Sequence, residues 1–366
     1  MNLSEIFAKD NINKGRQVEL DIAKAISIVF MILTHVEIIA VLFSNTISYD
    51  YHYIVTLVSG GVFSAPVFMF CMGVGLVYSR NTQWNFLIKR GFNLFIMAIF
   101  VNVCEFIIPH FLSEILLGNS QKFPIFGGLI LFYCDILFFA SLSFILIGIL
   151  KKLNISIKMM FVFALIMSII GTIFRFADFN AVSLNVFFGL IIGTIKELSA
   201  FPLLNWFIIP IGGYLWGEYF IRVKDKKKFY KFWSIFIILA ILYFYLTSHI
   251  LGTGMFSEDE GYYYYMTTID AIFCIILSHG LCGLYYHLSK YLPNNIIKEF
   301  SYLSKNITKI YIFQWFFIPI LIILFVFFFK NINISDLICF IMGIAVLLIS
   351  GTCNRIIDKT TTICSH

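Results

Sequence analysis

The sequence predicts an all-α fold, a polytopic membrane helix bundle with about 10 or 11 transmembrane helices. Of the 366 residues, 60% are hydrophobic and only 13% are charged, which leaves too little charged surface for a soluble protein of this size. Uncharged runs such as Ile310–Phe329 have the length that crosses the hydrocarbon of a bilayer. The 43 Phe and 19 Tyr residues suit lipid-facing and interfacial positions.

Apolar segments of about 20 residues, the length that a helix needs to cross a bilayer, recur along the chain. The predicted spans are 20–43, 55–79, 91–111, 127–150, 157–174, 201–221, 230–250, 268–289, 307–329 and 333–353. Helices are expected because lipid offers the backbone no hydrogen-bond partners, and no period-2 alternation indicates a barrel. Residues 1–366 are therefore predicted to be a single domain, with a bundle at 20–353 and tails at 1–19 and 354–366.

The distribution of Lys and Arg predicts the orientation in the membrane. The cations fall on one side of the ten-span topology: Lys9, Lys14, Arg16, Arg80, Lys89, Arg90, Lys151, Lys152, Lys158, Arg222, Lys224, Lys226, Lys227, Lys228, Lys231, Lys290, Lys298, Lys305, Arg355 and Lys359. The opposite connections are poor in cations, and 251–267 carries Glu258, Asp259 and Glu260. We therefore expect a multi-pass protein of the cell membrane with both termini cytoplasmic, whose first span serves for targeting without a cleaved signal peptide.

The segment 182–199 does not fit a span, because its apolar stretch Val186–Ile192 is too short to cross. An eleventh span there would place the Lys226–Lys228 cluster outside. A re-entrant or interfacial segment on the outer side is the preferred interpretation.

The charge and cysteine patterns exclude several other classes of protein. The net charge of +6 comes from cations between apolar runs rather than from a basic stripe interleaved with aromatic residues, so nucleic acid is not an expected partner. The eight Cys include no C-x-x-C pair and fall mostly within apolar runs. They are expected to be small buried hydrophobic residues, and neither a metal site nor a disulfide framework is predicted.

The first span carries ionisable residues in an apolar setting. Asp21 lies in the first turn, where a carboxylate complements the helix dipole. Lys24 and His35 are eleven residues apart, so on an ideal helix they lie within about 20° of one face and roughly 16 Å apart. Each alone has a structural interpretation, Lys24 as a snorkelling cation and His35 as an interhelical hydrogen-bonding group. Together on one face they favour a functional cavity.

The pattern Leu-Asp-x-x-Lys, an apolar run and then His resembles the opening of membrane acyltransferases. The spacing from Lys24 to His35 is similar to the acyltransferase-3 family, and other stretches are similar to the related heparan-α-glucosaminide N-acetyltransferase-like proteins. These stretches are Ser64–Phe70 followed by Gly73 and Gly75, Lys89–Gly91, Asp135–Phe139, Phe201–Trp206 and, more loosely, Tyr311–Gln314. The sequence departs from the family pattern at Lys24-Ala25, where Arg-Gly is usual, and at Gln314, where His is frequent.

This resemblance implies an acyltransferase that uses acetyl-CoA or another acyl-CoA as donor, without a metal. The implied acceptor is a hydroxyl or amine of an extracytoplasmic carbohydrate or glycolipid, and the bilayer is the other partner. His35 and Asp135 are the candidate catalytic residues, and the CoA phosphates are assigned to Lys24, Arg80, Lys89 and Arg90. Asp21, Arg175, His279 and Gln314 are the candidate substrate-binding residues.

Several alternatives stay open at the level of sequence. His35 acts either as the general base that deprotonates the acceptor or as a carrier that is itself acylated. Intramembrane His, Lys and Asp also serve transporters, so a transporter or flippase for a polar or sugar-linked substrate is the main competing function. A structural or assembly role is a weaker third interpretation, and a homodimer is retained as a candidate assembly.

Overall fold

The computed structural model of the protein describes residues 3–123, 125–194, 199–257, 261–330 and 332–364. This part of the chain is helical and forms no strand, only isolated bridges such as the one between Phe7 and Val223. The predicted all-α class is therefore confirmed. The acidic residues Glu258, Asp259 and Glu260, which contributed to the predicted orientation, lie outside the described residues.

The longer helices follow the apolar segments. Those of ten or more residues are α1 (Val18–Val41), α2 (Ala65–Val77), α3 (Trp84–Asn102), α4 (Ile108–Leu117), α5 (Ile136–Lys152), α6 (Ile157–Ile173), α7 (Ile208–Phe220), α8 (Trp233–Tyr245), α9 (Thr268–Leu288), α10 (Asn294–Lys305), α11 (Ile307–Phe328) and α12 (Asp336–Cys364). Short helices are Leu3–Ile6, Tyr49–Tyr53, Val182–Gly189, Leu203–Trp206, Lys226–Phe229 and Gly261–Tyr264, with a 3-10 turn at Phe126–Phe132. Wider π-helical turns occupy Ile54–Ser64, Val103–Ile107 and Leu246–Ile250.

Within the described ranges, 7 helical stretches are long and apolar enough to cross a membrane. They are Val18–Val41, Gly60–Val77, Trp84–Leu117, Lys226–Ile250, Thr268–Leu288, Ile307–Phe328 and Asp336–Thr360. The other three predicted spans fall on α5 and α6, of 17 residues each, and on α7, of 13 residues. The polytopic membrane character is therefore confirmed, whereas the number of ten or eleven spans stays a prediction.

Two helix boundaries differ from the sequence prediction, and the segment 182–199 agrees with it. The span at 127–150 is wrong at its start, because α5 begins only at Ile136 after the 3-10 turn. Helix α12 continues past the predicted end of the last span at 353 as far as Cys364, and whether residues after 353 form a cytoplasmic tail stays a prediction. In the segment 182–199 the helix Val182–Gly189 has 8 residues, too few to cross a bilayer, as the re-entrant or interfacial interpretation requires. Residues 195–198 lie outside the described part.

The backbone contacts divide the chain into two compact units, and whether both make one domain stays a prediction. The first unit comprises residues 1–23, 66–99 and 132–292, and the second comprises 24–65, 100–131 and 293–366. In the first unit α8 lies along α9, where Gly280 faces Ile237. In the second unit the residues of α1 from Lys24 onward pack against α12, where Leu33 contacts Gly343.

Two glycines in the first unit bring the backbones of α2 and α7 into direct contact. A Cβ on Gly73 would lie 1.8 Å from the carbonyl oxygen of Pro210, and one on Gly213 would lie 2.1 Å from that of Phe70. Small residues allow membrane helices to approach closely in this way. On the same helix, Gly75 has no heavy atom within 4 Å of its Cβ position.

Replacing Gly73 by Ala is therefore expected to destabilise the protein by about 1–3 kcal/mol, because the methyl group collides with backbone that cannot move aside. Gly75→Ala places the same change two residues further along the helix in open space, and it should leave the stability of the protein unchanged or slightly raised. Thermal unfolding of both variants in detergent measures the difference. Equal midpoints for the two variants would contradict the close packing of α2 on α7.

Candidate functional site

Helix α1 positions both residues on which the sequence analysis depends. It runs without interruption over 24 residues from Val18 to Val41, so the predicted common face of Lys24 and His35 is present. Both side chains are half-buried and belong to the second unit. Asp21 is buried in the first turn and pairs with Arg16, as expected for a carboxylate at a helix start.

His35 faces protein on helix α11. Its Nδ1 lies 3.0 Å from the amide Nε2 of Gln314. The imidazole stacks on the indole of Trp315, with ring centroids 4.2 Å apart and an interplanar angle of 28°. The imidazole and the ring of Tyr311 form a T-shaped pair whose centroids are 6.1 Å apart. Positions 311, 314 and 315 form one face of α11 because residues three and four apart are helical neighbours. The structure therefore brings together two predicted site residues, His35 and Gln314.

Two polar atoms beside this imidazole are buried without a hydrogen-bond partner among the described residues. They are Oε1 of Gln314 and Nε1 of Trp315. The exposed fraction is 0% for Gln314 and 5% for Trp315. Burying a polar group without a partner costs about 1–3 kcal/mol, so two such groups beside one imidazole make this place a candidate ligand site.

The amide of Gln314 also fixes the protonation pattern of the imidazole. When its NH2 donates to Nδ1, the ring proton of neutral His35 resides on Nε2. An amide turned by 180° would present Oε1 to an Nδ1–H group and leave Nε2 as a base. Gln314 therefore controls whether the free nitrogen of His35 donates or accepts a proton.

A second ionisable pair lies on another face of α1. The carboxylate of Glu37 is fully buried and its Oε1 is 2.7 Å from Nδ1 of His52, whose side chain is 32% exposed. The sequence analysis missed this pair. The signal for Glu37 was available, since an acid in the middle of an apolar span is costly unless it has a partner. No spacing rule indicates His52, because that residue lies beyond the end of the helix.

The predicted CoA-binding cations are exposed or half-buried and belong to different units. Arg80, Lys89 and Arg90 are exposed residues of the first unit, and the guanidinium of Arg90 lies 4.3 Å from the ring centroid of Phe144. Lys24, in the second unit, is half-buried. Their role in phosphate binding stays a prediction.

Asp135, Arg175 and His279 have structural partners in the first unit. Asp135 does not lie within a span as predicted: it precedes α5 and its Oδ1 accepts hydrogen bonds from the backbone amides of Leu137 and Phe138, so it caps the helix. The Arg175 guanidinium lies 5.1 Å from the ring centroid of Tyr262. Nδ1 of His279 accepts a hydrogen bond of 2.9 Å from the indole of Trp216. Their predicted catalytic or substrate-binding roles stay predictions.

A basic cleft of about 540 Å³ lies elsewhere on the first unit. It is lined by Ile12, Asn13, Val223, Lys224, Asp225, Lys226, Lys227 and Tyr286. Lys226 is engaged, since its Nζ lies 2.7 Å from Oε1 of Glu19. None of the predicted site residues lines this cleft, so the environment of His35 is the stronger candidate for the reaction site.

The fold and the His35 environment define an integral membrane protein with a polar site among apolar helices. A family model described as an acyltransferase domain matches residues 17–355, which is most of the chain. The chain therefore belongs to the acyltransferase-3 family, as the spacing of Lys24 and His35 predicted, and it is a membrane acyltransferase. No curated protein and no solved structure matches it.

The contact between Glu37 and His52 can be tested by its contribution to stability. His52→Ala should lower the free energy of unfolding by about 1–3 kcal/mol, because the buried carboxylate loses a hydrogen-bonded partner. Adding Glu37→Gln replaces the carboxylate by a neutral amide of the same shape, so the double variant should recover part of that loss. Thermal unfolding of the wild type, both single variants and the double variant gives the coupling. Strictly additive losses would contradict an energetic link between the two side chains.

Proposed function

We propose that the protein transfers an acyl group, in the simplest case acetyl, from cytoplasmic acyl-CoA to a hydroxyl or amine of an extracytoplasmic carbohydrate acceptor. The observation that carries this proposal is the His35–Gln314 pair within a chain of the acyltransferase-3 family. An imidazole supplies the proton transfer that attack on a thioester needs, and an adjacent amide holds its orientation. Beyond the general acyltransferase activity, this proposal names acyl-CoA as the donor, a carbohydrate as the acceptor and His35 as the base.

In the general-base form of the reaction, Nε2 of His35 takes the proton of the acceptor hydroxyl or amine as that group attacks the thioester carbonyl carbon. A C–O or C–N bond forms, the C–S bond breaks, and the imidazolium returns its proton to the departing thiolate to give CoA-SH. This route requires the amide orientation in which Oε1 of Gln314 accepts from Nδ1–H. Acylation of His35 itself, followed by transfer to the acceptor, is the second route.

The cations have a separate role in the proposal. CoA carries several phosphate charges, and Lys24, Arg80, Lys89 and Arg90 lie on the cytoplasmic side of the ten-span topology with both termini cytoplasmic. Lysine binds phosphate as a point charge, whereas arginine adds bidentate geometry. Asp21, Asp135, Arg175 and His279 remain the other candidates for binding or orienting the substrates, and a homodimer in the cell membrane remains the candidate assembly.

His35→Ala is expected to reduce transfer of labelled acetyl from acetyl-CoA by about 10²–10⁴-fold, the range that general-base catalysis contributes. His249→Ala removes an exposed histidine from the first unit and serves as the control. Full transfer by His35→Ala would refute the role of His35 while leaving the family assignment intact. Acid quenching without acceptor separates the two routes, because only the carrier route leaves acetyl on the protein.

Lys24→Ala should raise KM for acyl-CoA about tenfold, since a single charge-assisted hydrogen bond to phosphate is worth roughly 1.5 kcal/mol or more. Lys24→Arg restores the charge and should restore most of the affinity. Lys359→Ala is the control, because that exposed lysine is remote in sequence from the first span. An unchanged KM in Lys24→Ala, or an equal defect in Lys24→Arg, would contradict phosphate binding at this position.

A further inference from the structure

Trp315 has an indole N–H that nothing in the described chain satisfies, although only 5% of the residue is exposed. Buried tryptophans normally find a partner for this donor. Trp206, which is fully buried, donates from Nε1 to the carbonyl oxygen of Tyr264 at 2.6 Å. The half-buried Trp216 donates to His279. The donor of Trp315 is therefore an exception within this protein, and it lies beside the proposed base.

Stacking places the indole of Trp315 directly against the proposed base. The indole and imidazole planes are 28° apart and their centroids are separated by 4.2 Å. A thioester attacked beside this imidazole would therefore lie next to the indole ring, whose N–H group is unpaired among the described residues.

We propose that the Nε1–H group of Trp315 donates a hydrogen bond to the carbonyl oxygen of the bound thioester and to the oxyanion that forms there. This inference rests on the proposed acyl transfer and adds a catalytic residue to it. As the acceptor oxygen or nitrogen bonds to the carbonyl carbon, the π electrons of the C=O bond move onto oxygen, where the indole N–H stabilises them. When the C–S bond breaks, the carbonyl reforms and the thiolate takes the proton from His35.

The chemistry of indole suits this role. Nε1–H is a donor only, so it cannot compete as an acceptor for the proton that His35 handles. It is neutral, and a neutral donor can be held ready among apolar helices without the cost of a buried charge. A donor that is already in place and unpaired before the reaction needs no reorganisation when negative charge develops on the oxygen.

The amide of Gln314 does not compete for this role. In the general-base route its Oε1 accepts from Nδ1–H of His35, so the amide is engaged with the imidazole. The Nε1–H group of Trp315 is buried and has no partner among the described residues, whichever way the amide is turned. It is therefore the group available to the carbonyl oxygen of the ligand.

Trp315→Phe keeps an aromatic ring against His35 and removes the N–H group. We expect kcat for acetyl transfer to fall about 10²–10³-fold, as when one oxyanion donor is lost, while KM for acetyl-CoA and the Kd for free CoA change by less than about threefold. Trp84→Phe is the matched control, because Trp84 is 42% exposed and lies at the start of α3. It should retain wild-type kcat.

Replacement of Trp315 alone by its benzothienyl analogue, in which sulfur stands in place of N–H, preserves the shape and the stacking and guards against misfolding of the Phe variant. The same loss of kcat with intact CoA binding would support the proposal. Wild-type kcat in the analogue would overturn the proposal. A defect confined to KM would also overturn it, because that result would indicate that Trp315 only packs against acyl-CoA. If the wild type and Trp84→Phe bind acetyl-CoA but transfer no acetyl group, the proposed function itself fails and this inference fails with it.

Discussion

The polar contact between α1 and α11 is the constraint on which the site depends. An imidazole among apolar helices is stable only when a neighbour satisfies it, and here one amide and one indole ring do so. The orientation of the amide determines the tautomer of the imidazole, and the ring contact restricts the plane of the imidazole. Both neighbours come from one turn of α11, so a small rotation of that helix would remove both at once.

Buried polar atoms without a hydrogen-bond partner occur in several places in the described chain, but at Trp315 one lies on a ring that stacks on an imidazole. Within the first unit, close helix packing includes backbone contact at Gly73 and Gly213. A buried indole N–H without a partner is costly unless a ligand completes it. The environment of His35 is the candidate site for this reason.

The sequence predicted those features of the structure that follow from helical periodicity or from the length of apolar runs. Hydropathy located every long apolar helix, the helical repeat placed Lys24 and His35 on one face, and the ordered motifs led to the family and to Gln314. The sequence did not predict the role of Trp315 or the Glu37–His52 pair. These contacts do not depend on spacing along the chain, because they form where the faces of separate helices meet. The sequence prediction misplaced the start of α5 because a hydropathy window does not register a helix cap such as Asp135. It ended α12 too early because Arg355 and Asp358 look like tail residues, although they pair with Glu299 and Lys309.

Pro319 is buried in the middle of α11, one turn beyond the residues that contact His35. A proline has no amide hydrogen, so the carbonyl of the residue four positions earlier, Trp315, receives no helical hydrogen bond from it. The backbone stiffness of α11 is therefore lowest immediately after the turn that carries Gln314 and Trp315. Bending there would move the half of the helix beyond Pro319, while the amide and the indole keep their contacts with the imidazole.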